Sequence, residues 1–130
     1  MNREELVLLY GFGGEAAEKI VATLKIVRVK TKILKAEDYG EKVGFLLGLK
    51  GFAKAMESET ERPEEKIMVL QNIKGKRLDA VLDALRKNDC EVPVYKAAVT
   101  AFNVHWTLKR LFETMKKEHG YFNTNRGLNF

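Results

Sequence analysis

The chain matches itself at a shift of 61 residues, and this self-similarity constrains the fold more than any other feature. Val7 to Leu47 aligns without gaps on Met68 to Leu108. The identical pairs are Leu9/Leu70, Gly14/Gly75, Leu24/Leu85, Lys35/Lys96, Ala36/Ala97, Val43/Val104 and Leu47/Leu108. Ile20/Val81, Val21/Leu82, Glu18/Asp79, Lys25/Arg86 and Ile33/Val94 are conservative. Each half carries the same order of patterns, so one unit of strand, helix, strand, helix is expected twice.

The first strand of each half, Leu6 to Tyr10 and Ile67 to Leu70, is a continuous apolar run. Such runs suit strands buried on both faces. A glycine-containing turn follows each, then an amphipathic helix: Ala17, Ile20, Val21 and Leu24 share one stripe, and Leu78, Val81, Leu82 and Leu85 the other. The second strands alternate. Val27, Val29, Thr31 and Ile33 oppose Arg28, Lys30 and Lys32; Cys90, Val92 and Val94 oppose Asp89, Glu91 and Pro93. Alternation and a strand proline belong at sheet edges. The expectation is a single three-layer α/β domain of two βαβα repeats around a four-stranded, mostly parallel sheet in the order 2-1-3-4. An approximate two-fold along the strands would relate the halves. The first repeat spans residues 5–52, an acidic linker 53–66 and the second repeat 67–118, making one domain over 1–118. The tail 119–130, rich in asparagine and glycine, is expected to be irregular, with Tyr121 and Phe122 as docking aromatics.

At 130 residues, with 45% hydrophobic and 32% charged, the chain has volume for one globular core. A single cysteine, Cys90, excludes an internal disulfide and a cysteine-rich zinc site and favours a reducing, cytoplasmic setting. The near-apolar stretch Val43 to Phe52 is broken by Lys50 and too short to cross a bilayer, and Met1 to Glu5 is no signal peptide. No membrane partner is therefore expected.

The second half carries the run Val92-Pro93-Val94-Tyr95-Lys96-Ala97-Ala98-Val99-Thr100, then Asn103, Trp106-Thr107-Leu108 and Leu111. Over roughly residues 66–118 this resembles the bacterial family known as domain of unknown function number 3783. There a strand ending in Lys-Ala-x-Val-Thr precedes Asn-x-x-Trp-Thr-Leu and a closing helix. The resemblance implies no activity. It supports the element order and marks Lys96, Thr100, Asn103 and Trp106.

Four features invite a functional reading. Gly11-Phe12-Gly13-Gly14-Glu15-Ala16 satisfies G-x-G-x-x-A, and the N–H groups at such a helix start can hold phosphate. However, Ile33-Leu34-Lys35 stands where a ribose-binding acid is expected, and the second half reads Asn72-Ile73-Lys74-Gly75. A tight turn needing glycine for its backbone angles is the simpler account. Lys35 and Lys96 would flank a central crevice at the carboxyl edge of a parallel sheet and suit a small anionic ligand; the alternative is two solvated lysines. Thr100 or Asn103 can cap the last helix, where Trp106 sits about 200° from Val104 and off the core stripe. Phe45, Leu49 and Phe52 form a second apolar stripe on a helix whose inner stripe is Val43, Leu46 and Leu47. Its cover is expected to be the tail, the linker or a second copy, which makes a homodimer the leading association.

The net charge of +5 is concentrated partly between Glu18 and Glu37, where Lys19, Lys25, Arg28, Lys30, Lys32 and Lys35 occur without an acid. With no aromatic in that run, guarding of an edge strand is favoured over nucleic-acid binding. His105, His119 and Cys90 have neither metal-ligand nor catalytic spacing, so no metal, cofactor or catalytic residue is expected. The expected function is a non-catalytic binding or regulatory module acting as a homodimer. The alternatives are a phosphate, nucleotide or carboxylate site at the sheet's carboxyl edge (Gly11, Gly13, Gly14, Asn72, Gly75, Lys35, Lys96) and, more weakly, nucleic-acid binding through the basic strand.

Overall fold

A computed structural model describes residues 4–129, with side chains to residue 119. Strand β1 (Leu6–Tyr10) leads to helix α1 (Gly14–Ile26), strand β2 (Lys30–Ile33), a 3₁₀ turn (Ala36–Gly40) and the single-turn helix α2 (Val43–Leu46). Then come β3 (Ile67–Gln71), α3 (Gly75–Lys87), β4 (Tyr95–Ala98), a second 3₁₀ turn (Asn103–His105) and α4 (Leu108–Asn129). The four strands form one mixed sheet in the order β2-β1-β3-β4. As their continuous apolar sequences require, β1 and β3 are central, and all of β3 is buried.

Each half is a parallel pair, β1 with β2 and β3 with β4, but β1 and β3 run antiparallel. This corrects the expected two-fold along the strands. Leu8 lies opposite Val69, its partner in the 61-residue shift, so a two-fold relating the halves would pass between them, normal to the sheet. The core confirms the direction. Ile20 and Leu24 of α1 and Val81 and Leu85 of α3 pack on one face with Val7, Leu9, Met68 and Leu70. Val43 and Leu46 of α2 and Leu108, Leu111 and Phe112 of α4 pack on the other with Leu8, Tyr10, Ile67 and Val69. An axis along the strands would put α1 and α3 on opposite faces and leave each long stripe facing a poorer partner. The observed arrangement joins the two strong stripes in one layer.

Three further expectations change. The 61-residue offset holds for β1/β3 and α1/α3, but β2 and β4 are offset by 65 (30 to 95), as are Val43 and Leu108. The four extra residues lie between α3 and β4, where Cys90 to Val94 forms a connection and not a strand. Cys90 and Val92 still pack on the α1/α3 core, which is why the alternation looks strand-like; Pro93, lacking an N–H, stays outside the ladder. The second change concerns the expected long apolar helix, which stops after one turn. Gly48 and Gly51 take positive φ (74° and 88°) and turn the chain back. Finally, α4 continues to Asn129 through the segment expected to be irregular; the side chains of Tyr121 and Phe122 lie outside the described residues.

The linker is fastened to the α2/α4 layer. Glu41, 6% exposed, accepts a hydrogen bond from Ala55 N (2.7 Å), and Lys109 pairs with Glu59 (2.8 Å). The Lys109 ammonium holds the Glu59 carboxyl below the usual carboxylate range. At the other end of the sheet, Arg77 makes a forked pair with Glu5 (2.8–3.1 Å) and donates to the carbonyl of Val27, so α3 clasps both β1 and the end of α1.

Candidate functional site

Antiparallel central pairing separates the features expected to meet at one carboxyl edge. Gly11, Gly13 and Gly14 lie at the end of β1 beside the start of β3; Asn72 and Gly75 lie at the opposite end of the sheet. Gly11 is required sterically: φ is +82°, and a Cβ would fall 2.6 Å from the Glu65 carbonyl oxygen. Gly13 is the N-cap of α1, and Glu15 occupies its first turn. Lys35 follows β2 on one edge of the sheet and Lys96 lies within β4 on the other, with β1 and β3 between them. The paired-lysine crevice is therefore not formed. Lys35 is exposed, and its backbone N–H bonds the Asp38 carboxylate (2.8 Å), whereas Lys96 Nζ reaches the Pro93 carbonyl (3.4 Å).

Lys96, Thr100, Asn103 and Trp106 do come together. They line a groove of about 510 Å³ between β4 and α4, with Phe102, Met115 and Glu118 among its other walls. A shallower depression bounded by Val94, Tyr95 and His119 continues it along β4. The groove is shaped by a reciprocal pair of caps. Thr100 Oγ1 accepts from Asn103 N (3.0 Å), and Asn103 Oδ1 accepts from Thr100 N (2.8 Å). Asn103 Nδ2 also donates to the Ala98 carbonyl (2.9 Å), tying the turn to the end of β4. These residues cap the 3₁₀ turn, not α4. The α4 cap is Thr107, whose hydroxyl accepts from Arg110 N (3.1 Å).

Trp106 precedes α4 and is half-buried, with the Arg110 guanidinium 4.3 Å from its ring centre. Its backbone is also used. Val43 N donates to Trp106 O (2.8 Å) and Leu108 N donates to Glu41 O (2.9 Å), a reciprocal bridge that joins the starts of α2 and α4. Phe45, Leu49 and Phe52 do not form an outer stripe. All three are half-buried; Phe45 and Leu49 pack on the α2/α4 core, and Phe52 folds against Gly44, where a Cβ would enter its ring. Among the described residues, large apolar side chains left exposed include Phe102 (78%) and Val94 (64%) at the two ends of β4; the others are Met56, Ile26 and, on β2, Ile33.

Residues 66–122 match the model of DUF3783, a domain of unknown function. No curated protein and no solved structure matches the chain. The DUF3783 segment begins just before β3 and contains α3, β4, the capped turn and the Trp-Thr pair. The residues that carry the resemblance lie in this segment: Thr100 and Asn103 shape the turn of the groove, Trp106 lines it, and Thr107 starts the following helix.

Residues not singled out in the sequence complete the picture. Phe102 and Met115 line the groove; Met115 follows Leu108, Leu111 and Phe112 at helical spacing, whereas Phe102, between two caps, has no spacing signal. Of the basic run, Lys30 pairs with Glu4, Lys32 donates to the Leu46 carbonyl (2.8 Å) and Lys19 to that of Asp89 (3.1 Å). Much of that charge is engaged within the fold. Cys90 is buried, with Thr23 Oγ1 at 3.3 Å from its sulfur. Among the described residues no cluster of histidine, cysteine or carboxylate side chains could hold a metal ion, and no helix is long and apolar enough to cross a membrane.

Proposed function

We propose that this chain is a non-catalytic cytoplasmic binding module, built of one unit used twice, that works as a homodimer through the β4 edge and its groove. The observation that carries this reading is an open sheet edge flanked by exposed apolar side chains. Val99 N donates to Leu70 O, so by alternation residues 95 and 97 point their backbone toward β3. The backbone of Lys96 and the N–H of Ala98 therefore face outward. Phe102 and Val94 stand exposed at the two ends of that edge. The opposite edge, β2, carries Lys30 and Lys32, the usual guard against pairing. On β4 only one lysine, Lys96, plays that part. Antiparallel pairing of two β4 strands would extend the sheet to eight strands and bring Phe102 of one protomer toward Val94 of its partner. A lone buried thiol supports the reducing compartment.

Sedimentation velocity across micromolar to submillimolar concentration tests the reading. The expected result is a dimer that Phe102→Glu dissociates without unfolding the domain, because Phe102 contributes little to its own core. A wild-type chain that stays strictly monomeric over that range would overturn the homodimer.

A further inference from the structure

We propose that a second groove, between the 50–56 segment and the 3₁₀ turn before α4, binds a nucleoside phosphate. This site is separate from the β4 edge and does not depend on dimer formation. The groove encloses about 610 Å³, within the range of small-ligand sites. Its walls include Lys42, Lys50, Lys54 and His105, and no carboxylate lines it. Some cations of the chain are matched, Lys30 with Glu4, Lys66 with Glu91, Arg77 with Glu5 and Lys109 with Glu59. Among the described residues, Lys42, Lys50 and Lys54 enter no ion pair. Of the acids on the adjoining surface, Glu41 accepts from Ala55 N, Glu59 pairs with Lys109 and Asp38 accepts from Lys35 N, while Glu37 and Glu57 line a neighbouring depression that shares Lys54. The result is a concave surface walled by three lysines that enter no ion pair, a charge that a di- or triphosphate complements.

The second observation is the floor. The rings of Phe52 and His105 lie 5.3 Å apart, inclined at 34°. Phe52 is fixed by its seat on Gly44, while His105 is exposed. Gly51, at φ +88°, turns the chain within the segment that brings Lys50, Phe52 and Lys54 to one groove. A flat base laid on the rings, with its phosphates toward the lysines, uses both features. Free phosphate would use only one.

The test uses the whole chain and measures thermal shift and calorimetric binding with ATP, tripolyphosphate, adenosine and a short single-stranded oligodeoxyadenylate. ATP is expected to raise the melting temperature. K42E/K50E/K54E is expected to weaken ATP binding at least tenfold. K25E/K76E/K87E, which changes the net charge equally on other surfaces, should leave it unchanged. His105→Ala should weaken ATP several-fold and leave tripolyphosphate as it was. No ATP response at millimolar concentration, or equal losses in the two triple variants, would overturn the site. Tripolyphosphate binding as tightly as ATP would overturn the ring contact. An oligonucleotide that binds more tightly than ATP would overturn the nucleotide in favour of a nucleic-acid strand.

Discussion

Replacing Tyr39 by phenylalanine should make the protein more stable. Tyr39 is fully buried, between Tyr10 (ring centres 5.6 Å apart) and Phe112 (6.3 Å). Its hydroxyl has no hydrogen-bond partner among the described residues. A buried polar group left unmatched costs about 1–3 kcal/mol. Phenylalanine keeps both ring contacts and gives up only the few dispersion contacts of one oxygen atom. The net gain should be about 1 kcal/mol, or about 3–5 °C in Tm for a domain of this size. The alkaline limb gives a second readout. Burial, reinforced by Glu61 and Glu113, pushes the Tyr39 phenol far above its ordinary value. A folded-state pKa above the unfolded one means the folded state binds the proton more tightly. That share of stability is complete below about pH 10 and is lost as pH rises beyond it. The advantage of the Tyr39→Phe variant should therefore widen between about pH 9 and pH 11. Urea unfolding of both proteins at about pH 7 and pH 10.5, on either side of the free phenol's titration, measures this. A variant less stable than wild type by about 1 kcal/mol or more would refute the reasoning, because it would mean that the hydroxyl is hydrogen-bonded, for example to an internal water.

Two further substitutions test the scaffold. Asn103→Ala removes the bonds to Thr100 N and the Ala98 carbonyl at a site only 8% exposed. It should destabilise by about 2 kcal/mol in chemical denaturation, and loss of fluorescence anisotropy at Trp106 would report the loosened turn. Glu5→Gln breaks the forked pair with Arg77, whose hydrogen bonds hold the Glu5 carboxyl below its usual value. A depressed carboxylate stabilises above its unfolded pKa and ceases to as pH falls through the folded one. The gap between wild type and E5Q should therefore be full at about pH 7 and close below about pH 4.

Elements whose apolar residues repeat at the right interval were legible. The runs Leu6 to Tyr10 and Ile67 to Leu70 specify buried central strands, and the stripes of α1 and α3 follow from spacing. The relative direction of β1 and β3 was not legible. A strand apolar on both faces reads the same in either direction, and only the pairing of helices on the finished faces decides it. The register of β4 was hidden because Cys90 and Val92 are buried at strand-like intervals while belonging to a connection. α2 was over-extended because an apolar run gives no warning that Gly48 and Gly51 will adopt positive φ. At the site, the family resemblance brought together Lys96, Thr100, Asn103 and Trp106, which share one groove. Reasoning from a single carboxyl edge grouped Lys35 with Lys96, and the antiparallel centre undoes that pairing. The groove of Lys42, Lys50, Lys54 and His105 left no trace in sequence because a turned-back chain assembles it from two distant segments.

The antiparallel pairing of β1 with β3 also bears on how the chain is made. Tyr10 pairs with Ile67 and Leu6 with Gln71, so the inner border of β1 finds its partner only after some 61 further residues have emerged. At usual rates of synthesis that is roughly 3–12 s. Once β2 has emerged it can cover one side of β1, but until β3 follows the other side of Leu-Val-Leu-Leu-Tyr presents an unpaired ladder of backbone groups beside apolar side chains. The half-made chain is thus most prone to stick to its neighbours on the ribosome just before β3 appears. The acidic, well-solvated stretch that precedes β3 is the part of the chain exposed beside that border while it waits.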